Sequence, residues 1–487
     1  MKRSKHALSY YQNQSMNMGS LTPIGCMEVL PGDTIQHAVR SLVRLSELVS
    51  PVMHPVHAKI HHFFVPYRLI WDDFEDFITK GPEGTSNPVY PTISLAGCTA
   101  SSLGNYLGLP VFSSTRDVSA LPFRAYALIF NEYYRDQDLV DEVDVDFSSG
   151  TDTTTNTDLL TAAWEKDRFT SARPWTQKGP EVTIPLAGEA PIVTSGVAPT
   201  FSWSNQVNKN MQGIISSGAV YMATGGDSTD DLVFGDETGL LADLSDVPGV
   251  DVNDLRAALA LQRWQEARAQ YGSRYTEYLR YLGVKSSDAR LQRPEYLGGG
   301  KQVIQFSEVL GTVNNDDTNL GQLGGHGIAS VSSNRYRHFF EEHGIVISFM
   351  IVRPIAVYAD GIPRMWNRRT MQDFWQMELQ HIGQQELQNK EVYADSATPD
   401  GVFGFQDRYD EYRRNESRVA GEFATTLDYW NLARKFSAEP ALNADFVTCI
   451  PDPRIFVSTT TDQLRCMISH SIQARRLVSK VGRNYIY

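Results

Sequence analysis

Residues 345–352, IVISFMIV, constrain the fold more than any other stretch of this chain. Seven of the eight are apolar or β-branched; Ser348 alone interrupts, and Arg353-Pro354 ends the run. Such a run suits a β-strand buried on both faces. Other segments carry the two-residue period of a half-buried strand. Ala58, Ile60, His62 and Phe64 alternate with Lys59, His61, Phe63 and Val65. Near the end, Cys466, Ile468, His470, Ile472 and Ala474 alternate with Arg465, Met467, Ser469, Ser471, Gln473 and Arg475, giving one core face and one polar face. Phe446 to Ile450 and Arg454 to Val457 are shorter strand candidates around Pro451 and Pro453.

Helical pattern concentrates in the middle of the chain. Residues 253–270 open with an Asn cap and good helix formers, and Trp71 to Ile78 suits a short helix. Tyr275, Tyr278, Leu279 and Leu282 share one helical face, and Gly283 stands where a left-handed cap belongs. Residues 81–119, 147–158 and 191–250 are long polar stretches that read as loops, and loops of that length usually carry function. Strands at both ends, with helices and loops between them, predict a β-sandwich elaborated by insertions.

Composition narrows the functional classes. The hydrophobic fraction of 41% supports a sizeable core. Nowhere does the chain stay apolar for the roughly 18 residues a membrane span needs, and MKRSKHALSYYQNQ has no apolar segment behind its charges, unlike a signal peptide. Cys26, Cys98, Cys449 and Cys466 are scattered, which favours reduced thiols over a disulfide framework. The net charge of −13 is unevenly spread. Residues 136–167 and 227–254 hold enough Asp and Glu to leave the rest of the chain net positive. Lys2, Arg3 and Lys5 precede the first acid, and Arg465, Arg475, Arg476, Lys480 and Arg483 follow the last one, Asp462. Acidic loops facing solvent and basic ends facing nucleic acid are one expectation from this division.

No catalytic device emerges. His54, His57, His61 and His62 are close in sequence, but adjacent strand residues point to opposite faces, against a converging metal site. GQLGGHG (321–327) lacks the Lys-Ser/Thr ending of a phosphate loop and reads as a flexible loop. His338 and His343 do not form a zinc-binding helix motif, and the adjacent carboxylates Asp72-Asp73 and Glu341-Glu342 cannot face each other across a glycosidic bond. Arg364, Arg368 and Arg369 beside Trp366, Phe374 and Trp375 could grip single-stranded nucleic acid or pair across a subunit interface; the interface is the favoured reading, as it is for Arg413, Arg414 and Arg418. Arg290, Arg293 and Tyr296, around Pro294 and the three glycines at 298–300, suit the same role.

Several of these segments together resemble the major capsid proteins of the Microviridae, small single-stranded DNA phages, and the gokushovirus branch in particular. The resemblance rests on RYTEYLRYLGVKSSDARLQRPEYLGGG (274–300), PGDT (31–34), HHFFVPYRLIWDDFEDF (61–77) and PWTQKGP (174–180). It continues through EHGIVISFMIVRP (342–354), RMWNRRTMQDFW (364–375), HIGQQELQNKEVY (381–393) and FGFQDRYDEYRRNESRVAGEFATTLDYW (403–430). Residues 181–253 and the ending ARRLVSKVGRNYIY depart from the pattern.

The resemblance implies a mainly β fold: an eight-stranded antiparallel jelly roll with loop and helical insertions. It implies a basic arm over 1–27, insertion loops over 66–180, and a variable exposed insertion over 181–253 that builds a threefold protrusion. A helical segment over 254–300 and a final strand with basic tail over 463–487 complete the division. By resemblance the protein is no enzyme and takes no cofactor. Sixty copies would form a T=1 shell around circular single-stranded DNA, assembled in the bacterial cytoplasm. Minor phage proteins (a DNA pilot protein and a small DNA-binding protein) and a host-surface receptor would be partners. Expected DNA contacts are Lys2, Arg3, Lys5, Arg475, Arg476, Lys480 and Arg483. The rival readings are a carbohydrate-binding β-sandwich and a β-sandwich glycoside hydrolase.

Overall fold

The computed structural model describes residues 3–180, 192–194, 200–203, 206–210, 233–234, 240–242, 252–271, 292–311, 321 and 323–480. The chain divides into two compact units, residues 1–176 with 271–487, and residues 177–270. The smaller unit contains the pair Ile192–Thr194 and Leu240–Ala242, a three-stranded sheet centred on Thr200–Trp203, and most of the Val252–Tyr271 helix. That helix matches the one expected from residue 253 onward. Tyr275 to Gly283 lies outside the described residues.

Two antiparallel sheets form the frame of the larger unit, which also holds a smaller three-stranded and a two-stranded sheet. One has four strands, in the order Glu295–Val303, Val56–Pro66, Gly344–Pro354 and Thr22–Val29. The other has seven. Its spine is Leu464–Arg476, Thr34–Leu45, Leu323–Ser332 and Gln305–Leu310. Ser4–Ala7 and Tyr10–Met16 both pair with Leu464–Arg476, and Tyr336–Phe339 also pairs with Thr34–Leu45. The sheets face each other across a core that includes Val39, Val43, Cys466 and Ile468 from one and Ile24, Ala58, Ile60 and Met350 from the other. At about 1.5–3 kcal/mol for each large apolar side chain removed from water, this layer contributes substantially to stability.

The Gly344–Pro354 strand is buried along its length apart from partly buried Arg353. Val346, Met350 and Val352 enter the layer between the sheets, while Ile345, Ile347, Phe349 and Ile351 point the other way. Their cover on that side is the Leu121–Tyr133 helix, whose Tyr126, Ile129 and Phe130 pack against them. This helix escapes sequence reading because it is apolar around most of its circumference and has no polar stripe to set a period. The final strand alternates buried and exposed residues from Leu464 to Arg475, as its sequence predicts.

Four local expectations are corrected. Phe446 to Ile450 is not a strand: Ala444–Val447 is a helical turn whose cap, Asn443, accepts a hydrogen bond from the Phe446 amide at 3.0 Å. Arg454 to Val457 likewise begins as a 3₁₀ turn, capped by Asp452. Residues 81–119 contain the strands Thr92–Leu95 and Arg116–Ser119 and the Leu103–Leu107 helix. The glycine run at 321–327 enters the Leu323–Ser332 strand; a Cβ on Gly325 would lie 2.1 Å from the Ser50 carbonyl oxygen, so glycine there permits close backbone packing.

The acidic stretch 136–167 does not simply face solvent. Asp152 is buried and accepts from Arg124, itself fully buried, at 2.8 Å. Asp136 pairs with Lys166, and Asp138 lies 2.8 Å from Arg173. Much of that negative charge is neutralised internally, where burying it unpaired would be costly.

Candidate functional site: a basic sheet face and an apolar arginine patch

Two surfaces of the larger unit have compositions that a free-standing surface does not require. The first is the outward face of the seven-stranded sheet. Strand alternation sends every second residue outward. From Thr34–Leu45 these include the exposed Arg40 and Arg44; from the final strand, Arg465, Met467 and Arg475. Lys5 lies directly across from Arg475, Arg44 across from Arg465, and Arg337 across from Gln36. Arg3 donates to Thr34 Oγ1 at 3.2 Å and sits 4.8 Å over the Phe339 ring. Exposed Tyr11 lies in the neighbouring Tyr10–Met16 strand.

Six of the seven strands contain no Asp or Glu; Glu308, on the Gln305–Leu310 edge, is the exception. Glu47, just beyond this sheet, reaches Arg465 at 3.2 Å, with both side chains more than half exposed. Like charges directly opposed across strands are destabilising in isolation. The Arg44–Arg465 and Lys5–Arg475 pairings are therefore a cost to the subunit's own stability that the fold accepts.

Among the DNA-contact candidates, Arg3, Lys5 and Arg475 stand on or beside this face. Arg476 turns away: its Nε lies 2.9 Å from buried Asp33 and its Nη2 donates to the Glu28 carbonyl at 2.8 Å. Lys480 is exposed beyond the strand, while Lys2 and Arg483 lie outside the described residues. Arg40, Arg44 and Arg337 were missed. Their signal was periodic, each falling on the polar phase of an alternating strand, whereas attention to the charge-rich ends of the chain passes over it.

The second surface is built on residues 364–382. Met365, Trp366, Met371 and Met377 are each at least 63% exposed, and Phe374, Trp375 and Ile382 are about half exposed. The 3₁₀ turns Arg364–Trp366 and Met371–Asp373 fix this display; Thr370 and Asp373 form a reciprocal cap on the second. Beneath it is a polar frame. Glu391, buried, meets Arg168 at 2.5 Å and Arg364 at 2.9 Å. Arg368 reaches Glu411 at 3.7 Å and lies over the rings of Tyr412 and Phe374. Arg369 folds back onto the carbonyls of Trp366 and Arg368. Arg414 pairs with Asp410 at 2.9 Å, and Arg413 approaches Asp407 at 4.0 Å.

A cleft of about 440 Å³ opens among Arg168, Arg364, Arg368, Arg414, Glu416 and Arg418. Burial pushes the Glu416 carboxyl up against the opposing pull of Arg168. The frame's arginines hold the segment in place and leave the Met and Trp side chains exposed. Elsewhere, Tyr296 is 49% exposed at the start of its strand, Arg293 lies over the Tyr133 ring, and Arg290 is outside the described residues.

The four histidines do not converge. His54 bonds to the Ile355 carbonyl, His61 to the Tyr134 hydroxyl at 2.6 Å, and His62 turns into the layer between the sheets. Among the described residues no three His, Cys, Asp or Glu side chains are placed to hold a metal, and no helix is long and apolar enough to cross a membrane. All four cysteines are free thiols; burial pushes Cys26, Cys449 and Cys466 up to about 12.

Comparison with known proteins places the chain in a family. Residues 1–484 match the family described as "Capsid protein (F protein)". The chain is 36% identical to capsid protein VP1 of Bdellovibrio phage phiMH2K over 486 residues, covering 94% of this chain and 90% of that protein. It is 31% identical to capsid protein VP1 of Chlamydia phage 1, covering 96% and 94%, and 29% identical to capsid protein VP1 of Spiroplasma virus 4, covering 91% and 87%. The lectin and glycosidase readings find no support in these relatives. A match over nearly the whole length establishes that the chain belongs to the phage capsid protein (F protein) family, as a structural protein of the Microviridae virion.

Proposed function

We propose that the subunit is an eight-stranded jelly roll, sixty copies of which close a T=1 icosahedral shell around circular single-stranded DNA. Strand order supports the jelly roll. Taking Ser4–Ala7 with Tyr10–Met16 as one bent strand, and Leu323–Ser332 with Tyr336–Phe339 as another, leaves Gln305–Leu310 as an added edge. In chain order the first, eighth, third and sixth strands then form one sheet, and the second, seventh, fourth and fifth the other. That is the interleaving expected of two Greek keys.

The observation that carries the DNA reading is the basic face with six acid-free strands. The outer face of the four-stranded sheet is covered by the Leu121–Tyr133 helix, so the bare basic face is the one that meets the lumen. Arginine and lysine neutralise phosphates without regard to sequence, and Tyr11 and Phe339 offer rings for base stacking. The 364–382 surface, with Arg290, Arg293, Tyr296, Arg413 and Arg414 as further candidates, lies between subunits. The exposed insertion expected over residues 181–253 lies mostly outside the described residues, and the host receptor and minor phage proteins follow from the family resemblance.

Expression of the full chain, followed by negative-stain microscopy and measurement of DNA per particle, tests this reading. Uniform small icosahedra are expected. Replacing Arg40, Arg44, Arg465 and Arg475 with Gln should lower DNA content several-fold while particles still form. Equal DNA content in parent and variant particles would remove the basic face from packaging.

A further inference from the structure

Three histidines unused by either surface lie together in the layer between the sheets. His37 comes from Thr34–Leu45, His470 from the final strand, and His62 from Val56–Pro66 in the opposite sheet; each is at most 2% exposed. Their hydrogen bonds fix a direction. The Ile24 carbonyl can only accept, so His470 Nε2–H donates to it at 2.8 Å. In the neutral ring His470 Nδ1 must then accept, and His37 Nε2–H donates to it at 3.0 Å. His37 Nδ1 in turn accepts from the Tyr336 hydroxyl at 3.1 Å. The chain Tyr336–His37–His470–Ile24 thus crosses from the seven-stranded sheet to the four-stranded one.

The relay is packed as tightly as it is bonded. Tyr10 stacks on His470 with ring centroids 4.5 Å apart and planes 9° from parallel, tying the Tyr10–Met16 strand to it. A Cβ on Gly25 would come 2.7 Å from both the His470 ring and the Tyr10 hydroxyl. The His62 ring lies 4.9 Å from that of His37 and bonds Ser348 Oγ at 2.8 Å through Nδ1, while its Nε2 has no hydrogen-bond partner.

The groups facing the three rings are Tyr10, Tyr336, Ser348, the Ile24 carbonyl and one another; His61 acts on His62 from the opposite side of its strand, and Cys26 lies near Tyr10. No carboxylate compensates a proton here among the described residues. A proton on His470 Nδ1 would set two donors against each other, and a charge on any ring would be buried without a counterion.

We propose that this relay is an acid-operated clasp: protonation unlocks the two sheets from each other and releases the Tyr10–Met16 strand. Burial holds His37 down to about 3 and His470 to about 4, and lowers His62 well below its ordinary value. The clasp is therefore fully stabilising above the ordinary histidine value of about 6.5 and loses strength as pH falls from there toward 4.

The test uses the full chain. In the unmodified protein, imidazole ¹⁵N resonances of the relay should stay neutral below pH 5 and then disappear together as near-ultraviolet dichroism is lost. Over the same range pepsin, which is active in acid, should begin to cut beside Tyr10 and Tyr11. In His37→Gln and His470→Gln the opening should move at least half a pH unit lower; His62→Phe, which keeps a ring of similar shape, serves if those variants are unfolded at pH 7.5. Relay imidazoles that titrate near pH 6.5 inside an intact fold would overturn the proposal. So would an unchanged opening pH in a folded variant.

Discussion

The two outward faces of the sandwich are opposites. Beyond the four-stranded sheet, Ile345, Ile347, Phe349 and Ile351 are sealed under the Leu121–Tyr133 helix. Beyond the seven-stranded sheet, Arg40, Arg44, Arg465 and Arg475 stand in the open. The difference teaches how sequence period encodes sidedness. An unbroken apolar run demands cover on both sides and defines the clad face; strict alternation leaves a bare face, whose polar positions are free to take on a function.

The comparison can be broken most severely on the clad side. Phe349, in contact with Phe63, Tyr126 and Tyr134, should lose about 3–5 kcal/mol of stability on truncation to Ala, measured by chemical denaturation. A loss below about 1 kcal/mol would mean the cover is loose. Next is Arg124→Met beneath the same cover. Against the opposing pull of burial, Thr155 and Arg124 hold the Asp152 carboxyl below its ordinary value. Removing the guanidinium should cost about 3 kcal/mol by leaving a buried charge unpaired. The stability lost should be smaller at acid pH, where Asp152 can take up a proton.

Smaller effects on stability belong to the bare surfaces. Trp366→Ala should change subunit stability by no more than about 0.5 kcal/mol, yet raise the protein concentration needed for assembly, measured by light scattering. An unchanged assembly threshold would argue against the 364–382 surface as an interface. Arg44→Gln should leave stability equal or slightly higher, because it removes the repulsion from Arg465, while weakening the salt dependence of DNA retention. A clear loss of stability would show that Arg44 is part of the fold's own framework.

The same contrast explains how much was legible in advance. Ile345 to Val352 announced a doubly buried strand, and Cys466 to Ala474 announced a half-buried one, because burial writes its period directly into these residues. The Leu121–Tyr133 helix was illegible: being covered nearly all round, it has no polar stripe. Ala444–Val447 was read as a strand because its residues are apolar, whereas the Asn443 side chain decides for a helical turn. The acids of 136–167 were expected in solvent because their partners, Arg124 and Arg173, are fixed by tertiary packing that composition does not contain. Arg364 and Arg368 were read only as surface groups, because their internal partners Glu391 and Glu411 come from segments 20 or more residues away.

The central pairing of the seven-stranded sheet joins Leu45 to Leu464. Those partners are more than 400 positions apart, and at a synthesis rate of about 5–20 residues per second the second emerges roughly 20–80 s after the first. Throughout that interval the Thr34–Leu45 strand lacks its main neighbour and the basic face does not exist. A nascent chain that has not yet released Leu464–Arg476 therefore cannot present a finished sheet face to any partner. Emergence of that strand becomes a built-in timer: it withholds the finished face until both halves of the central pairing are available, and leaves the half-made strand in need of protection from premature association.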